Sequence, residues 1–316
     1  MKESKFSLAD LLIVLGAVGY GFFCFMGLNF RTLGDTKQSI ILSVIFALIL
    51  GGFALGAKMW KRTSRNFKSS MIWEWTFLLL FVSFSILFFK PFSHYFTVMG
   101  QKEEIKEEMS VNINQAKSMF DEYEEYTEKR LDIYESRLNS VVKGKAADNV
   151  TYKNYGFTSG TSDAVQVENK TFVLKSKLYP SNYEDAGGIK TEATNWLSKA
   201  ESTLKNRWAF TFGVVDIVND AKEYSTDWKN KLVEFSEFRA DGETTTSFDY
   251  ELTINDVTKR IEDYSESHNM FAFILAILFF LLMLFSYIIT KRHSRFAGFA
   301  VTFGIKKDGT TLSNEL

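Results

Sequence analysis

Disulfides are excluded from this chain: among its 316 residues there is one cysteine, Cys24. Any domain it builds in an oxidising compartment must therefore be held by packing alone. Zinc is disfavoured as well, because His94, His268 and His293 lie in separate regions and no Cys/His cluster has metal-ligand spacing. There is no phosphate loop of the GxxxxGKS or GxxxxGKT type. The string GAVGYG, with Gly16, Gly19 and Gly21, lies inside an apolar run with no strand before it. It reads as close helix packing rather than a dinucleotide loop. No cofactor is expected. Internal repeats at a fixed period and low-complexity tracts are also missing.

What the chain has in quantity is phenylalanine, 31 residues, and a mean hydropathy of −0.07 that hides a division. Most apolar material sits in LLIVLGAVGYGFFCFMGLNF, SIILSVIFALILGGFALG, IWEWTFLLLFVSFSILFF and MFAFILAILFFLLMLFSYIIT. Each run has about the length that crosses ~30 Å of hydrocarbon as a helix. A helix satisfies its own backbone groups, which a bilayer demands. The sequence predicts a mainly α membrane protein with transmembrane helices at about 11–30, 39–57, 72–90 and 269–290. The first run continues to Phe30, too far for a cleaved signal peptide. Gly52 and Gly56 form GxxxG and are candidate packing residues, within the chain or between subunits. No Asp, Glu, Lys or Arg lies at mid-depth, and Glu74, between Trp73 and Trp75, reads as part of an interfacial anchor. A proton-driven transporter needs an intramembrane ionisable group, so transport by this chain alone is disfavoured.

Charge sets the expected orientation. The hinge KMWKRTSRNFK holds Lys58, Lys61, Arg62, Arg65 and Lys68 and no acid. Positive charge beside a span is retained in the cytoplasm. The basic loop 58–71 and both termini are thus expected inside, where these cations meet anionic headgroups of the bilayer. The tail opens with Lys291, Arg292 and Arg295 and points the same way. Residues 91–268 carry 32 acids and 22 bases, a net −10, while the remainder carries 6 acids and 15 bases, a net +9. An acidic external domain does not suit nucleic acid, whose backbone is bound by cationic patches. The absence of disulfides fits an enclosed compartment, a bacterial periplasm outside the inner membrane.

Within that domain a helix is predicted over about 101–142, because apolar or small residues recur at steps of three and four from Met109 to Val141. Its stripe includes Phe120, Tyr123, Leu131, Tyr134 and Leu138. Two readings stand for it: packing on its own domain, or packing against another subunit. Residues 143–163 read as a loop, and 164–180, rich in Val, Phe and Leu, as one or two short strands. Helical stripes follow over Trp196–Trp208 and Val214–Phe235. SFDYELTI alternates Phe248, Tyr250, Leu252 and Ile254 with polar residues and is the strongest strand signal. Asn255 or Asp256 then caps a helix leading to the fourth span. A glycosidase-type carboxylate pair is conceivable among so many acids. Most of these acids lie on helix faces beside Lys or Arg, where solvated surface is the default.

The tail from residue 291 is too short for a domain. It alternates Phe299, Val301, Phe303 and Ile305, a pattern suited to adding to a sheet edge on a cytoplasmic partner, to disorder, or to folding on its own basic loop.

Three spans, a long helix FTVMGQKEEIKEEMSVNINQAKSMFDEYEEYTEKRLDIYESRL after the third, a domain and a returning fourth span resemble the TssN family. These are transmembrane subunits of a type VI secretion subtype. The resemblance implies an inner-membrane subunit of a multiprotein envelope complex that anchors the contractile apparatus for effector export. It also implies other envelope subunits, copies of itself and cytoplasmic baseplate components as partners. That family has no catalytic motif, so no site residue transfers. The sequence thus predicts a non-enzymatic scaffold, with a periplasmic ligand sensor acting through the fourth helix, or a polysaccharide chain-length regulator, as the alternatives.

Overall fold

A computed structural model describes residues 8–62, 67–263 and 269–291, which form eleven helices. In order these are α1 (Leu8–Arg31), α2 (Thr36–Arg62), α3 (Phe67–Gly100), α4 (Lys102–Lys143), α5 (Asn149–Asn154), α6 (Asp163–Leu178), α7 (Ser181–Glu184), α8 (Ile189–Lys205), α9 (Arg207–Ser236), α10 (Val257–Asp263) and α11 (Met270–Ile289). The chain divides into two compact units. One comprises the residues up to Gln101 with those from Lys259 onward, the other Lys102–Thr258.

The first unit is a bundle of α1, α2, α3 and α11, each long and apolar enough to cross a membrane. Half of the apolar window of α1 is buried inside the bundle, against under a third for each of the others, so α1 is the central helix. Its glycines make this possible. A Cβ at Gly19 would lie 2.6 Å from the ring of Phe279 in α11, and one at Gly27 would lie 1.8 Å from the carbonyl oxygen of Pro91 in α3. Without side chains there, backbones approach and dispersion contacts multiply. Around α1 the rings interlock: Tyr20 stacks on Phe92 at 4.6 Å between centroids, and Phe23 meets Phe92, Phe96 and Phe279. The outward faces carry Leu15, Val18, Ile41, Leu48, Leu79, Ile86, Ile274 and Leu278, all exposed.

The helix of the third expected span continues past residue 90. α3 has 34 residues and runs through Pro91 to Gly100. Proline removes one helical hydrogen bond, but Phe88 before it and Phe92 and Phe96 after it continue the aromatic packing on both sides of that loss.

The second unit is organised on α4, a rod of 42 residues, ~60 Å at 1.5 Å per residue. Helices α6, α8 and α9 pack against it. Asn206 alone joins α8 to α9, and its side chain caps α9 by accepting from the amides of Trp208 and Ala209 at 2.9 and 3.2 Å. The stripe on α4 is used inside this unit. Phe120 packs on Trp228, and the Tyr123 hydroxyl donates to the Leu178 carbonyl at 2.7 Å. Tyr134 and Leu138 are buried with Tyr152, Phe157, Val167 and Leu174, and Leu131 is half-buried against them. Phe120, Tyr123, Leu131, Tyr134 and Leu138 are therefore core residues of their own domain, not a face offered to a second subunit.

Among the described residues no β-strand occurs, which corrects two expectations. The stretch 164–180 is mostly α6. Val167, Leu174 and Leu178, spaced by seven and four, are buried on one helix face, while Val165, Phe172 and Val173 are exposed. The helical period outweighs β-branched composition there. The stretch SFDYELTI has no regular secondary structure, with Phe248 and Tyr250 buried and Asp249 and Glu251 exposed. Its partner is a helix rather than a sheet. The expected loop at 143–163 contains α5, whose first turn is held by the Asp148 carboxylate accepting from the Thr151 amide at 2.9 Å.

Candidate functional site

Up-and-down packing brings the start of α1, the end of α2, the start of α3 and the end of α11 to one end of the bundle. Acids at helix N-termini and cations at C-termini are favoured by the helix dipoles, and the sequence supplies both. Asp10 lies in the first turn of α1, and Lys61 and Arg62 in the last turn of α2. The Lys58 ammonium pairs with Oδ1 of Asp10, and their side chains are only 7% and 9% exposed. Ser286 of α11 also donates its hydroxyl to Oδ1 of Asp10, at 2.9 Å. One carboxylate therefore joins three helices.

A second tie lies beside it. The Tyr287 hydroxyl of α11 donates to Oε1 of Glu74 in α3 at 2.8 Å, and Glu74 is buried. Lys61 donates to the Tyr287 carbonyl at 2.9 Å and lies 4.2 Å over its ring. Ser70 of α3 donates to the carbonyl of Trp60 in α2. All four helices are thereby linked through polar groups at one end. Ionisable groups in a membrane bundle are costly unless paired and mark functional positions by default. Chemically this cluster is a clasp: Lys58 meets Asp10, Lys61 and Glu74 hold Tyr287, and together they fix how α11 seats on the other three helices.

The second unit has its own clasp, between α4 and the non-helical segment after α9. Arg130 donates from Nε to Oε1 of Glu243 at 2.6 Å and from Nη2 to Oε2 at 2.9 Å. Its Nη1 donates to the Ser236 carbonyl at 2.7 Å and its Nη2 to the Phe238 carbonyl. Further along, the Tyr126 hydroxyl donates to the Thr246 carbonyl at 2.7 Å, and the Tyr250 hydroxyl to the Gln115 carbonyl at 3.0 Å. The Asn112 side chain pairs with the backbone of Asn255 twice, accepting from its amide at 2.8 Å and donating to its carbonyl at 3.1 Å. A side-chain amide on a helix thus does what a neighbouring strand would do. Burial alone would raise the Glu243 carboxyl. The Arg130 bond and charge, with the Ala240 amide and the Arg239 charge, outweigh it and hold Glu243 below its ordinary 4.5.

The sequence-derived site residues are distributed unevenly over these features. Lys58 is not a lipid-facing cation but a buried partner of Asp10, and Lys61 is bonded into the bundle. Arg62 and Lys68 are exposed. Arg65 and the docking set Phe299, Val301, Phe303 and Ile305 lie outside the described residues. Gly56 packs on Phe77 of α3, whereas Gly52 faces outward with nothing within 4 Å of where its Cβ would be. Glu74 is an internal acceptor rather than part of an interfacial anchor, although Trp73 and Trp75 beside it are exposed. Asp10, Ser286, Tyr287, Arg130 and Glu243 escaped the sequence reading. Asp10 left one signal: an acid at the mouth of an apolar run, matched by cations at the end of the next.

Four helices of spanning length with exposed apolar outer faces, tied by a buried polar clasp, mark a mainly α membrane protein. No protein-family model matches the chain, and no curated protein and no solved structure matches it.

Proposed function

We propose that this protein is a non-enzymatic scaffold subunit of a multiprotein complex in the bacterial inner membrane, of the kind its resemblance to the TssN family suggests. In this reading the clasp end of the bundle faces the cytoplasm with both termini, since Lys58, Lys61, Arg62, Lys68 and Lys291 lie at the helix ends that meet there. The acidic unit stands in the periplasm, and the complex serves type VI secretion of effectors, with other envelope subunits and baseplate components as neighbours. The observation that carries the reading is α4 with its strap. A 42-residue rod joined through Gln101 to a span, and laced along its length by the segment 238–256, suits a post that transmits load.

Purification of the tagged full chain in mild detergent, followed by mass measurement, tests the proposal. A fixed-stoichiometry assembly well above the 36.3 kDa chain is expected. A monodisperse monomer holding a small molecule would favour the sensor and remove the scaffold. A cytosol-only reporter fused at Asn149 should stay dark, and a bright one would invert the orientation.

A further inference from the structure

The α8–α9 corner of the second unit carries a feature that its core does not use. Trp208 and Phe212, one turn apart at the start of α9, are 70% and 53% exposed and stack on each other with rings 13° from parallel. Most exposed hydrophobic residues in water-soluble domains are scattered singly; two stacked aromatics with this much open surface form a patch. Directly after them the same face turns acidic and polar, with Asp216 and Asn219 exposed. The aromatic patch is thus confined to the helix end.

The position of that end along the chain identifies its occupant. The Lys102 ammonium lies 5.0 Å from the ring centroid of Phe210, so the start of α9 sits against the first turn of α4. Lys102 follows Gly100, the last residue of the spanning helix α3, by two residues. Two residues reach no more than ~7 Å. At 34 residues α3 is ~50 Å long, close to the ~40–45 Å of a bilayer with its headgroups. The second chain exit, toward α11, leaves from the same region, because Asn255 is bonded to Asn112 near the start of α4.

Cations complete the pattern. Arg207 precedes Trp208 and is exposed, and Lys205 is exposed beside it. Lys102 and Lys106 lie on the flank of α4 nearest this corner. Burial, the Lys106 charge and the Arg207 charge lower the Lys102 ammonium, partly offset by Glu103. Tryptophan and phenylalanine flanked by Arg and Lys are the side chains that partition into the headgroup–acyl boundary, rings inward and cations at phosphate level.

We infer that the start of α9, through Trp208 and Phe212 with Arg207, is a membrane-surface foot that binds the second unit to lipid headgroups. This inference is independent of the proposed scaffold role and of which side of the membrane the unit occupies.

The test uses the full chain in nanodiscs of phosphatidylethanolamine and phosphatidylglycerol. The sole native cysteine, Cys24, is buried, so Phe212→Cys provides an accessible labelling site for an environment-sensitive fluorophore. Phe172→Cys, on the exposed face of α6, is the control. The label at 212 should emit at shorter wavelength and be quenched by lipids bearing a shallow nitroxide, and the label at 172 should do neither. In the unlabelled protein, Trp208→Phe should remove the lipid-quenchable share of tryptophan emission from the second unit, which guards against a disturbance by the fluorophore. A 212 label as wet as the control would overturn the proposal. So would a label shielded only in native membranes and wet in nanodiscs, since a protein partner would then be its cover.

Discussion

Both units bury an ion pair, and they do so with different cations for different ends. In the bundle, Lys58 meets Asp10 as a point charge at the mouth of four antiparallel helices. In the second unit, Arg130 meets Glu243 through a planar fork, and its remaining donors hold the carbonyls of Ser236 and Phe238. Lysine supplies charge, while arginine supplies charge with geometry. The bundle already has its shape from glycine–aromatic packing and needs only a tie. The strap after α9 has no helix or sheet of its own and takes its path from α4.

That contrast predicts an order of effects. Arg130→Met should be the most damaging change, because it strands the buried Glu243 carboxylate and takes a donor from the carbonyls of Ser236 and Phe238. Breaking a buried pair from one side costs ~3–5 kcal/mol, read as a lowered denaturation midpoint of the full chain in detergent. Arg130→Met with Glu243→Leu should recover much of the loss; if it does not, the strap is held by something other than this pair. Lys58→Met should cost less, since Asp10 keeps the Ser286 bond and lies one turn from the helix end. Equal losses for Arg130→Met and Lys58→Met would erase the distinction between clasp and tie.

Gly27→Ala should come next, at ~1–3 kcal/mol for overpacking, because its Cβ would collide with the Pro91 carbonyl. Gly52→Ala, with open space around it, should leave an isolated chain unchanged. A Gly52→Ala variant that alters the mass of the purified complex would show that a second subunit lies there. Asn112→Ala should cost ~1 kcal/mol by removing the partner of the Asn255 amide, whose carbonyl keeps its bond from the Val257 amide. Faster hydrogen exchange limited to residues 250–256 is its signature.

The smallest effect is expected from acid. Because the folded Glu243 carboxyl titrates below 4.5, its pairing contributes full stability above that value and loses it as pH falls further. The midpoint of wild type should therefore drop below about pH 4.5, and the Arg130→Met, Glu243→Leu double variant should lack that component.

The four long apolar helices and the α4 rod were readable because each rests on a local pattern, apolar length or a three-four spacing, that no tertiary contact overrides. Trp208 shows where that reading fails. Its spacing from Trp196, Ala200 and Leu204 places it on one stripe, yet Asn206 ends α8 and turns Trp208 outward. The strap shows the complementary failure. Alternation of Phe248 and Tyr250 reports that one face is buried, but not that the burying surface is a helix.

Composition and periodicity by themselves determined a helical membrane protein with four helices of spanning length, an acidic inserted unit and a long helix at the start of that unit. Those properties follow from hydrophobic length and from charge, which act residue by residue along the chain. Only the tertiary structure decided that the stripe of α4 is spent internally, that Lys58 finds Asp10 and that Arg130 finds Glu243. The partners are separated by 48 and 113 residues, and such pairings depend on where helices cross, a quantity no local spacing encodes.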